Sequence, residues 1–202
     1  MHAVILDIDG TLLQSNHIDG SLYLAAILRV LGEVRIRESW GLYRNVTDGG
    51  ILEEIFHDNS LPMTAATLNT VKAVFVESIA RHVRTNGPFT EIPGARDFVS
   101  GLLASTSSRI AYATGGWSES AAIKLGSAGF PMQGVPLASS DDYIDRPSIM
   151  LHALNQLGNE FESITYYGDG KWDETATAML GWDFVPVGKR LGGLRSFKRV
   201  DA

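Results

Sequence analysis

Two carboxylates stand one residue apart near the start of the chain, in "MHAVILDIDGTLLQSN". On an extended backbone, positions i and i+2 face the same way, so Asp7 and Asp9 are aimed together. Like charges at that distance cost free energy unless a cation or a shared proton relieves them. Gly10 permits a sharp exit from the strand, and its amide with that of Thr11 is placed to meet an anion. "GDGKWD" adds a third carboxylate, Asp169, and a fourth, Asp173, one helical turn further on. A hard cation held by oxygen suits this set, Mg²⁺ ahead of Ca²⁺. An EF-hand does not fit "DIDGTLLQSNHI", because Ile18 occupies the position of its bidentate glutamate. The five histidines have no metal-ligand spacing, and the chain has no cysteine for a thiolate site, a disulfide or a nucleophile.

The elements that must position these acids read as an alternating pattern. Residues 3–8 form a short apolar run suited to a strand buried on both faces. From Asp19, as N-cap, to Gly32, "DGSLYLAAILRVLG" has helical spacing. Further helices are expected over about 50–58 and 64–84, with no strand between residues 15 and 90. "GPFTEIPG" then reads as a linker. Beyond it, helices near 95–105, 118–128, 147–157 and 172–180 alternate with strands at "RIAYATGG", "VPLASS", "SITYYGD" and "DFVPVG". Such alternation means a parallel sheet with helices on both faces. The expected fold is α/β, a Rossmann-like core (1–15 and 88–202) interrupted by an all-helical cap (16–87). Ligands bind at the carboxyl ends of strands in an open parallel sheet. There Asp7 and Asp9, Thr114-Gly115-Gly116, and Gly168-Asp169 converge on one crevice.

Composition narrows the function. The 202 residues are 45% hydrophobic and 20% charged, a globular balance. The net charge of −6 argues against a nucleic-acid partner. "SLYLAAILRVLG" is too short and too charged to cross a bilayer, and the first apolar run lacks the features of a signal peptide. The expectation is a cytoplasmic protein, monomer or weak homodimer, with no membrane partner.

"DIDGT", "YATGG" and "GDGKWD", in this order and at these spacings, resemble the haloacid dehalogenase-like (HAD) hydrolases. The helical insert resembles the C1-type cap of the phosphoglycolate-phosphatase-like branch, and "EIPGARDFVSGLL" resembles its re-entry into the core. The resemblance implies Asp7 as nucleophile, forming an aspartyl-phosphate, and Asp9 as general acid and then base. It implies Mg²⁺ held by Asp7, the backbone carbonyl of Asp9 and Asp169, with Asp173 as a supporting acid. Thr114 and the amide of Gly115 would grip the phosphoryl group of a small phosphorylated substrate. A Mg²⁺-dependent phosphatase is the leading expectation. A phosphomutase of the same superfamily and a catalytically weakened phosphate-binding protein are the alternatives.

One position departs from the family pattern. Where a lysine is usual, "YIDRPSIM" supplies Arg146, which keeps the charge and adds a planar fork. Lys124 and Lys171 are its rivals, and a surface pairing with Asp142 or Asp145 is the bland reading. In the insert, Trp40, Arg44, Thr47 and Asp48 are candidates for a substrate-facing loop, with Asp48 equally suited to capping a helix. The basic tail "GKRLGGLRSFKRVDA" reads as a solvated end.

Overall fold

The computed structural model describes residues 1–158 and 160–198. Five parallel strands, β1 (His2–Leu6), β2 (Ser108–Ala113), β3 (Leu137–Ala138), β4 (Ser163–Gly168) and β5 (Asp183–Pro186), form one sheet. Its order is β3-β2-β1-β4-β5, so β1 lies at the centre, with His2 beside Ser108 on one side and Ser163 on the other. Residues 3–6 of β1 are buried, which explains the unbroken apolar run. Val4 and Leu6 join one core and Ile5 the core on the opposite face, as the two-residue period of a strand requires.

After β1 comes a helical insert of three α-helices, α1 (Asn16–Leu31), α2 (Asp48–Asp58) and α3 (Ala65–Asn86), with a short 3₁₀ turn at Trp40–Leu42. Four more, α4 (Ala95–Ala104), α5 (Ser118–Ser127), α6 (Arg146–Gln156) and α7 (Lys171–Leu180), alternate with the strands. The insert is joined to the core where α3 packs on both α1 and α5. Its apolar residues Tyr23, Ile27, Phe75 and Ile79 belong to the same core as Val4 and Leu6.

Several expected boundaries move, each for a visible reason. The first helix begins at Asn16 rather than beyond Asp19, with Ser15 in the cap position. Ser15 donates its hydroxyl to Asp9 Oδ1 at 2.5 Å, and Asp19 turns inward to Lys124 instead of capping. Thr47, not Asp48, caps α2 by accepting the Gly50 amide at 3.1 Å. The strand expected at "VPLASS" contracts to two residues, because Ser139 leaves the ladder and donates its amide to Asp142. The tail is not a free end as far as Lys198. Phe197 stacks on Phe98 at 4.8 Å, and its amide donates to Pro93 O at 2.8 Å. The last four residues of that segment lie outside the described residues.

Candidate active site

At the carboxyl end of β1 the chain turns sharply. Gly10 has φ +82°, and a Cβ there would lie 2.2 Å from both Asn16 Nδ2 and Asp169 Oδ2. Only glycine fits, so the turn can bring the Asp169 loop against the first motif. The amides of Gly10 and Thr11 are spent on the turn itself, donating to Leu13 O at 2.8 Å and Ile8 O at 3.3 Å. They therefore do not face an anion, contrary to the expectation from sequence. The Thr11 side chain takes a different part and donates to Asp7 Oδ2 at 3.0 Å.

Asp7 is buried, and its other oxygen, Oδ1, lies 3.3 Å from an Arg146 Nη1. The same guanidinium reaches Asp173 Oδ1 through Nε at 3.3 Å. Arg146 opens helix α6, with Asp145 capping through Ser148 and Pro147 in the first turn. The surface pairing of Arg146 with Asp142 or Asp145 does not occur. Asp173 is fully buried: its Oδ2 accepts the Gly170 amide at 3.0 Å and its Oδ1 the Tyr166 hydroxyl at 3.3 Å. Gly168 allows this, since a Cβ there would meet the Asp173 side chain at 2.7 Å. Asn16, the first residue of α1, donates to Asp169 Oδ2 at 2.7 Å.

Oxygens of Asp7, Asp169 and Asp173 lie within 4.8 Å of one another. Burial, and then the charge of Asp173, push Asp7 well above the ordinary carboxylate range and Asp169 up to about 6. Burial also raises Asp173, against the pull of Arg146. Buried carboxylates brought so close are chemically matched to a divalent oxygen-loving cation. That donor set could hold a divalent metal ion.

Thr114 and Gly115 follow β2 and line the same cavity as Asp7, Asp9, Asp169 and Arg146. Thr114 is buried and its hydroxyl accepts the Gly116 amide at 3.0 Å, which folds the loop back over the strand end. Gly115 lies over the arginine, with Arg146 Nη2 only 2.9 Å from where a Cβ would be. The cavity has a volume of about 160 Å³. Of the insert residues singled out from sequence, Trp40, Thr47 and Asp48 line it and Arg44 does not.

Lys124 contributes what the sequence reading missed. It is fully buried, and its ammonium lies 2.7 and 2.6 Å from the two oxygens of Asp9 and 2.5 Å from Asp19 Oδ1. Burial opposes its charge, but Asp19 and Asp9 outweigh burial and raise its pKa. It is thus not a rival to Arg146 at Asp7 but a second buried cation, serving Asp9. The signal was available: Ser120, Ala121, Lys124 and Leu125 share the buried stripe of α5, where a lysine needs an anionic partner. Lys171, the other rival, is exposed and pairs with Glu174 at 2.5 Å. Tyr23, Trp172 and Arg190 also line the cavity without having been foreseen.

Core strands ending in acids around one crevice, with a helical insert after the first strand, define a class, and the sequence agrees with it. Residues 1–181 match the model of the haloacid dehalogenase-like hydrolases, and the chain belongs to that family. No curated protein matches the sequence. Among solved structures, a hydrolase from Pseudomonas syringae is similar at 19% identity and TM-score 0.73, covering 92% of this chain and 84% of that one. A protein named as a phosphoglycolate phosphatase from Lactobacillus plantarum is similar at 21% identity and TM-score 0.61, covering 92% and 85%. A β-phosphoglucomutase from Clostridium difficile is similar at 15% identity and TM-score 0.71, covering 93% and 84%. These likenesses establish a shared fold. Among the described residues, no helix is long and apolar enough to cross a membrane.

Proposed function

We propose that this hydrolase cleaves small phosphomonoesters through a covalent intermediate on Asp7. The observation that carries the reading is the placement of Asp7, at the end of the central strand, between one buried cation and two further buried acids. The phosphoryl group would enter between Asp7 and Arg146, with the Thr114 hydroxyl and the Gly115 amide as further donors. An Asp7 oxygen attacks phosphorus as the ester P–O bond breaks, and Asp9 delivers a proton to the departing alkoxide. Water then attacks the phosphorus of the aspartyl-phosphate, giving its proton to Asp9 and releasing orthophosphate and free Asp7. Ser15 and Lys124 fix the position of Asp9, and the proton it carries in the first step would displace one of its contacts with Lys124.

Asp7, Asp169 and the backbone carbonyl of Asp9 would hold Mg²⁺, with Asp173 steadied by Tyr166 and Gly170 as their support. When bound, the cation would shield the negative charges that must meet when a carboxylate approaches a phosphate. Residues 16–87 would act as the cap, and the small cavity beneath them favours small substrates. A phosphomutase would share the first half-reaction but direct the phosphoryl group to a sugar phosphate. Hydrolysis of p-nitrophenyl phosphate, with and without Mg²⁺, by wild type and by Asp7→Asn tests the proposal. Metal-dependent turnover lost in the variant is the expected result. Comparable rates in both proteins would remove Asp7 from the mechanism. Activation by a sugar bisphosphate would favour the mutase.

A further inference from the structure

The cavity has two chemically different ends. Asp7, Thr114 and Arg146 mark the phosphoryl end, and Asp9 the side where the alcohol would leave. Beyond Asp9, across Lys124, stand two more acids that the hydrolytic steps do not use, Asp48 buried and Asp19 partly exposed. Asp19 gives one oxygen to Lys124, and among the described residues its other oxygen has no hydrogen-bond partner. Asp48 is 7% exposed, and its amide donates to Gly115 O at 2.7 Å. Its Oδ2 accepts the Trp117 amide at 3.0 Å. Among the described residues, its Oδ1 has no partner, although the residue lines the cavity.

Aromatic rings line the same cavity. Tyr23 and Trp40 meet at 5.7 Å between centroids, and the Trp40 ring lies against Gly20, next to Asp19. The Tyr23 hydroxyl donates to the backbone carbonyl of Asp48 at 2.5 Å, which ties this ring to the Asp48 backbone. Trp172 closes the core side, with Arg190 over its ring at 5.9 Å. The charge of Arg190 acts on Asp169, toward the phosphoryl end. Lys124 contacts Asp9 and Asp19, and Asp48 has no ion pair of its own among the described residues.

From this juxtaposition we infer that the leaving group carries a cationic amine, so that the substrates are phosphomonoesters of small amino alcohols. An ammonium group is attracted both by free carboxylate oxygens and by the faces of aromatic rings. A carboxylate on the leaving group would instead meet Asp19 and Asp48, and like charges forced together in a buried site are strongly unfavourable. Burial, then Asp19, holds Asp48 well above the ordinary carboxylate range. A cation delivered with the substrate would favour the ionised form of Asp48, which gives up its proton as the ammonium arrives. The inference rests on the phosphatase reading for which end of the cavity receives phosphorus.

Four esters with Mg²⁺ test it: 2-aminoethyl, 2-hydroxyethyl, propyl and carboxymethyl phosphate. Wild type should favour 2-aminoethyl over propyl phosphate by about tenfold or more in kcat/KM, and turn over carboxymethyl phosphate most slowly. The amino-to-propyl ratio should fall several-fold in Asp48→Asn and in Asp19→Asn. Both rates of that ratio come from one preparation, so a poorly folded variant lowers them together. Intrinsic leaving-group differences cancel when the ratios of wild type and variant are compared. Equal rates for the amino and propyl esters, or a preference for the hydroxyl or carboxyl ester, would overturn the inference. So would a preference for the amine that both variants retain in full. If p-nitrophenyl phosphate and all four esters are inert, the phosphatase reading has failed, and the shift in Tm produced by each ester decides the matter. A larger shift with 2-aminoethyl than with propyl phosphate would sustain the amine site, and equal or absent shifts would end it.

Discussion

Replacing Lys124 by methionine removes a positive charge from the centre of the molecule while keeping most of the side-chain volume. Methionine fills the channel of the lysine stem, so the cavity contribution is small. What changes is electrostatic. Asp9 loses a partner that touches both of its oxygens at 2.7 and 2.6 Å, and Asp19 loses its contact at 2.5 Å. Breaking a buried pair by removing one member costs about 3–5 kcal/mol, because the remaining charge stays buried without compensation.

Protonation limits the loss and gives it a pH signature. Burial already lifts Asp19 to about 6 from 3.8, against the opposing pull of Lys124, and without Lys124 it must rise further. A carboxyl group with a folded pKa above its unfolded value takes up a proton on folding. Its effect on stability is most favourable below pH 4 and is lost as pH rises through the folded pKa. In wild type that window runs from about 4 to 6 for Asp19, and in the variant it extends upward. The difference between the proteins should therefore be about 3–5 kcal/mol at pH 8.5 and about 1–2 kcal/mol less at pH 6. Urea unfolding in EDTA at both pH values measures it. Adding Asp19→Asn to Lys124→Met should return about half of the loss. A difference below about 1 kcal/mol at pH 8.5, or one independent of pH, would refute the account of Lys124 as an obligatory counter-charge.

Three further outcomes follow from the site. Asp7→Asn should abolish turnover yet raise the Tm of metal-free protein above pH 7, since burial and Asp173 make ionised Asp7 a cost to folding; an unchanged or lowered Tm, measured in EDTA, would count against that. EDTA should remove activity reversibly, with Mg²⁺ restoring it and Ca²⁺ doing so poorly because it takes more ligands at longer distances; full turnover in excess chelator would exclude a metal role for Asp169. Arg146→Ala should lower kcat/KM by roughly 2–4 kcal/mol of transition-state binding and Arg146→Lys by less, since lysine keeps the charge without the fork. Steady-state kinetics within a few-fold of wild type for Arg146→Ala would remove the guanidinium from phosphate binding.

Local chemistry made much of this protein legible before any coordinates. The β1 run, the glycines that stop α1 and α3 at Gly32 and Gly87, and the alternation after residue 95 are signals carried by neighbouring residues. The polar clusters at strand ends likewise depend only on strand direction, so Asp7, Asp9, Thr114, Gly115 and Asp169 could be placed in one crevice from their order alone. Partnerships could not be read this way. The sequence offers Asp19 a helix cap and makes Lys124 a rival of Arg146, and neither reading names the other residue as a partner. Yet these residues are 105 positions apart, and they meet because α3 holds α1 against α5. The same holds for Arg146, whose neighbours Asp142 and Asp145 are the nearest acids along the chain, while Asp7 and Asp173 are nearest in space. Residue type and short-range spacing determined which groups are available for chemistry. Which charge faces which was decided by the packing of helices onto the sheet, because buried charges must find partners wherever the fold brings them.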